Sequence, residues 1–109
     1  MTVADFRRIA LSMPQASESA HMRHPDFRVG GKIFATLGYP DKDHGMVILP
    51  LEEQRQLVQT YPKDFTPAKG AWGQRGCTTV RLAAVDKMIL QHALEIAWRN
   101  KAPKPLINS

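Results

Sequence analysis

A single cysteine, Cys77, stands in the 109 residues, which excludes an internal disulfide, and no CxxC or paired Cys/His spacing is present to build a zinc site. That cysteine usage fits a reducing, cytoplasmic setting. Long apolar runs are missing too: none approaches the ~18 residues of a membrane span. The opening Met1-Thr2-Val3-Ala4-Asp5-Phe6 lacks the basic-then-apolar order of a signal peptide, so no membrane partner is expected. There is no internal repeat and no low-complexity tract, and no acidic residue falls between Asp64 and Asp86.

Catalytic signatures are equally scarce. Gly70, Gly73 and Gly76 are evenly spaced, but no Lys-Ser/Thr follows them as in a phosphate loop. Cys77, flanked by Gly76 and Thr78, has no sequence-specified base and reads as a small strand residue, and no serine sits in a nucleophile elbow. Asp41 and Asp43 form an acidic pair in a turn, not an acid/base set. His21 and His24 lie three apart, which in a strand puts them on opposite faces, and no third ligand is evident. His92 falls in an apolar helical stripe and reads as semi-buried. No enzyme activity, metal or cofactor is expected.

What the chain does have is 43% hydrophobic residues, a net charge of +5 and a pI near 9.7. This suits one domain over residues 1–101, with residues 102–109 as a flexible, proline-containing tail. Phe27-Arg28-Val29-Gly30-Gly31-Lys32-Ile33-Phe34-Ala35-Thr36-Leu37 predicts a β-hairpin: Phe27 and Val29 share a face, as do Ile33, Ala35 and Leu37, and the glycine pair supplies the positive φ of a primed turn.

Thr2 and Asp5 predict the start of a first helix, with Val3, Phe6, Ile9, Ala10 and Met13 at helical spacing and Pro14 ending it. Residues 15–19 read as loop and 20–24 as a short strand. Residues 46–49 read as a strand and 50–61 as a helix, with Leu51, Leu57, Val58 and Tyr61 inside and Glu52, Glu53, Gln54, Arg55 and Gln56 outside. A brief strand or extended arm at 65–69 precedes a flexible glycine-punctuated loop at 70–76. A strand at 77–82 then leads to a closing helix at 85–100 with Val85, Met88, Ile89, His92, Ala93, Ile96 and Ala97 along its inner stripe. The order α-β-β-β-α-β-β-α predicts a two-layer α+β sandwich, with a largely antiparallel five-stranded sheet and helices on one face.

These residues resemble the MmcQ/YjbR family: the helix ending at Met13-Pro14, the hairpin at 27–35, Phe65-Thr66-Pro67-Ala68 before a loop, and Val80-Arg81-Leu82 before a closing helix. The resemblance spans essentially the whole chain. It implies a fold like that of type III secretion chaperones, sometimes described as CyaY-like, and DNA binding through a double-wing arrangement. Many family members carry Gly-Trp at the start of the fifth strand; here the pair is Gly76-Cys77.

The residues offer their own nucleic-acid candidates. Arg28 and Lys32 flank the hairpin tip as one wing. Lys69, Arg75 and Arg81 surround Trp72 in a second, where the cations neutralise phosphates and the indole stacks on a base or wedges into a groove. The alternative to this is that Trp72 folds back as a lid on the core and that the cations, Arg28 among them, are solvated surface charges. Three classes follow in order: a DNA-binding domain, a chaperone-like protein-interaction module that binds a partner or itself, and an unidentified enzyme.

Overall fold

The computed structural model describes residues 1–107. In α1 (Val3–Leu11), Thr2 Oγ1 accepts the Asp5 N–H at 3.1 Å while the Asp5 carboxylate accepts the Thr2 N–H at 2.8 Å. This reciprocal capping box satisfies two donors that the first turn leaves over. Phe6, Ile9 and Ala10 turn into the core at helical spacing.

Three antiparallel strands follow: β1 (Ser17–His21), β2 (His24–Val29) and β3 (Lys32–Leu37). The predicted turn lies between β2 and β3, with Gly30 and Gly31 at φ 58° and 78°. β4 (His44–Ile48), α2 (Leu51–Thr60), β5 (Phe65–Pro67), α3 (Ala71–Gln74), β6 (Cys77–Arg81), α4 (Lys87–Lys101) and α5 (Lys104–Ile107) complete the chain. The sheet order is β1-β2-β3-β4-β6-β5, antiparallel throughout.

Register defines two faces. Phe27, Ala35, Val47 and Thr78 occupy one row across the sheet, and Leu37, Gly45, Val80 and Phe65 the next. The helices meet these rows: Phe6 packs on Phe27 and over Gly45, Gln54 of α2 bonds Thr78, and Tyr61 lies against Phe65. Ser19, Asp26, Thr36, Met46, Thr79 and Thr66 form a row on the opposite face.

The sheet therefore has six strands, not five. The expected strand at 20–24 straddles a two-residue turn, Met22 and Arg23 at φ 48° and 68°, and the expected loop at 15–19 supplies most of β1. The turn lacks the Gly, Asn or Asp that announces left-handed backbone, so its position was hidden. A bulge corrects the expected alternation of β3: Phe27 pairs with Ala35 but Arg28 with Ile33, leaving Phe34 unpaired and fully buried. Ile33 is thereby paired on the face opposite Ala35.

The stripe of α4 is also rotated from the expected one. Leu90, Ala93, Leu94, Ala97 and Trp98 face the core, whereas Met88 and His92 are exposed. Trp98 fixes this rotation by donating its indole N–H to Pro14 O at 3.0 Å. Beyond α4, the segment expected as a flexible tail contains α5, whose Leu106 and Ile107 pack against the core cluster; residues 108 and 109 of that segment lie outside the described residues. Among the described residues, no helix is long and apolar enough to cross a membrane.

Candidate nucleic-acid interface

Strands β3 and β6 run in the same direction with β4 antiparallel between them, so the residues that enter both strands lie at one end of the sheet. Lys32 enters β3 beside the Gly30-Gly31 tip, and Arg75 and Gly76 lead into β6. Ala68 N donates to Cys77 O at 2.9 Å, which brings Lys69 to the same end. The two expected wings are thus neighbours, two strand spacings or about 10 Å apart.

The C-terminal end of α4 enlarges this group. Asn100 Nδ2 donates to Ile48 O at 3.1 Å, and Pro103 lies against the hairpin tip, where a Cβ on Gly30 would come within 2.8 Å of its ring. Lys101 and Lys104 therefore join Lys32, Lys69 and Arg75. Among the described residues, none of these five cations is within ion-pair distance of a carboxylate. Glu52 and Glu53 lie in the first turn of α2, which follows β4 out of this end of the sheet.

The loop at 70–76, expected to be flexible, is instead a stapled turn. Gly70 and Gly76 adopt φ 66° and 100°, α3 fills the space between them, and Arg75 N closes it on Ala71 O at 3.1 Å. Any side chain on Gly73 would collide with Ala68 O, and one on Gly76 with Leu49 O. Gln54, expected outside α2, is buried, with Nε2 3.0 Å from Gly73 O, 3.2 Å from Cys77 O and 3.1 Å from Thr78 Oγ1. A helix-period signal for this inward position was present, since residues 54, 57, 58 and 61 fall on one stripe. Lys101 and Lys104 had no comparable signal.

The stapled turn holds Trp72 outward, 60% exposed, so it is not a lid on the core. The Arg75 guanidinium lies over its ring, 5.8 Å from the centroid, within cation–π range. Cys77, at the start of β6, is buried, and burial pushes its thiol pKa up, which disfavours a nucleophilic thiolate.

Two expected site residues stand apart. Arg81 ends β6 opposite His44, at the other end of the sheet. Arg28 lies on the face opposite Phe27, where it clamps the fully buried Asp26: Nε donates to Oδ1 at 2.8 Å and Nη2 to Oδ2 at 3.1 Å. His21 Nδ1 holds Asp26 Oδ2 from β1 at 2.8 Å. The Arg28 guanidinium keeps the Asp26 carboxyl below its usual pKa and is itself pushed up in return. Its charge is committed within the sheet.

Among the described residues, no three His, Cys, Asp or Glu side chains are grouped as metal ligands. A shallow groove between α2 and β5, lined by Leu51, Gln54, Arg55, Val58, Gln59 and Pro67, holds one charged side chain.

In a comparison with solved structures, the fold is similar to the crystal structure of Deinococcus radiodurans protein DR2400, which carries a DUF419 domain. The TM-score is 0.74 at 20% identity, over 89% of this chain and 75% of that one. No curated protein matches the sequence. The sequence model of the YjbR family matches residues 11–100, through the hairpin, both long helices and every strand, and the chain belongs to the YjbR family.

Proposed function

We propose that the chain is a non-enzymatic, cytoplasmic DNA-binding domain that grips phosphates with Lys32, Lys69, Arg75, Lys101 and Lys104. The observation that carries this reading is five cations, none with an ion-pair partner among the described residues, gathered beside an outward-held tryptophan at one end of the sheet. Unpaired lysine and arginine displace condensed counterions from a nucleic-acid backbone, so affinity falls steeply with salt. The test is a titration of a fluorescent 20-mer DNA, as a single strand and as the duplex, at low and physiological salt, with a Lys69→Ala/Arg75→Ala variant as comparator. Binding that weakens by orders of magnitude with salt, and further in the variant, supports the reading. Absent or salt-insensitive binding, or an unaffected variant, refutes it.

A second reading, a protein-interaction module, is favoured by β1. All five of its residues are exposed, and among the described residues it ends the sheet with no strand beyond it. Such an edge presents free backbone donors and acceptors to an incoming strand. A mass that rises with protein concentration in light scattering would support it.

A further inference from the structure

We infer that the nucleic acid accepted at this end is single-stranded, with one unpaired base stacked on the open face of Trp72. This rests on the nucleic-acid reading above and specifies the ligand's form. Three observations carry it.

Trp72 stands on a fixed turn. The turn beneath it is fixed by the Gln54 amide on Gly73 O and Cys77 O, and by two glycines whose backbones pack flush on Ala68 O and Leu49 O. An indole held 60% exposed on such a mount keeps a large apolar surface in water, and base stacking removes it without ordering the loop.

One face of the ring is occupied. With the Arg75 guanidinium over it, the indole has a single face left. A wedge that kinks duplex DNA enters between two base steps and needs both faces, whereas a stacking platform needs one. Arg75, across the ring from the stacked base, adds positive charge to the same end of the sheet.

The remaining cations are closely set. Lys69 follows β5, and Lys32 lies three strand spacings or about 14 Å away, across β6 and β4. Lys101, on the α4 end that reaches Ile48 at the tip of β4, stands between the wings. That spacing follows the backbone of one strand past the indole. Nothing in it selects a base, so the expected preference is for strandedness, not sequence.

The experiment compares the wild-type chain with Trp72→Ala and Trp72→Phe on an unstructured 20-mer DNA, the same sequence in RNA, and the DNA duplex, at fixed salt. Single strands are expected to bind more tightly than the duplex. Trp72→Ala should weaken single-strand binding about ten-fold and Trp72→Phe less, with duplex binding changed less than about two-fold. Because Trp98 is 5% exposed, quenching of indole fluorescence on single-strand binding should come from Trp72 and vanish in Trp72→Phe. The tighter of the DNA and RNA arms names the natural strand. Duplex preference, or equal losses on duplex and single strand in Trp72→Ala, overturns the stacking site and leaves nucleic-acid binding standing. No binding in any arm overturns both.

Discussion

Asp26 shows how a single residue sets the charge map. Its carboxylate is fully buried on β2 and made tolerable by the Arg28 fork and the His21 ring. An ionised group removed from water needs such partners. The folded pKa of Asp26 lies below the unfolded value, chiefly through the Arg28 hydrogen bonds. Its stabilisation is therefore complete above about pH 4, the unfolded range, and is lost as pH falls through the folded value. Asp26→Asn, which mimics the protonated form, is expected to lose about 2 kcal/mol in urea denaturation at pH 7. The deficit should shrink below about pH 4. Asp5, lowered to about 2 by the Thr2 N–H and hydroxyl, and Asp41, lowered by His44, continue to sensitise both proteins to acid. A deficit that is the same at pH 7 and pH 3 would show that Asp26 acts through packing and not through its charge.

At the scale of elements, legibility followed backbone chemistry. The Gly30-Gly31 turn was readable because both central residues need positive φ and glycine declares it. The Met22-Arg23 turn makes the same demand without declaring it, and with it went the sixth strand. The bulge at Phe34 was hidden similarly, since alternating apolar residues continue across it. In α4 the expected stripe took Met88 and His92 and missed Leu90, Leu94 and Trp98, because apolar residues lie nearly all round and tertiary contact decides the rotation. Placing methionine and arginine in left-handed backbone costs about 1 kcal/mol each. Met22 is 88% exposed, so little packing depends on it. Replacing Met22-Arg23 by Asn-Gly is thus expected to stabilise the chain by about 1 kcal/mol, raising the melting temperature by about 5 °C. An unchanged or lower value would mean that the Met22 or Arg23 side chain supplies more than the turn.

On the scale of the whole molecule, fifteen cations were legible but their distribution was not, because neither strand order nor register can be read from a list of residues. The sheet order brings Lys32 together with Lys69 and Arg75, adds Lys101 and Lys104 from the far end of the chain, sends Arg81 to the opposite end and binds Arg28 to Asp26. This map separates a directed interface from a diffusely basic surface. If the interface is directed, removing one of its cations reduces the number of phosphates neutralised, and the slope of log affinity against log salt falls by about 0.7 to 0.9. Lys69→Ala and Lys101→Ala should each show that drop, while Arg81→Ala, equal in net charge change, should leave the slope unaltered. If net charge alone drew nucleic acid to the protein, all three variants would shift the slope alike. The comparison of Lys101→Ala with Arg81→Ala is the sharper half of the test, since Arg81 was the sequence candidate and Lys101 is supplied by the fold.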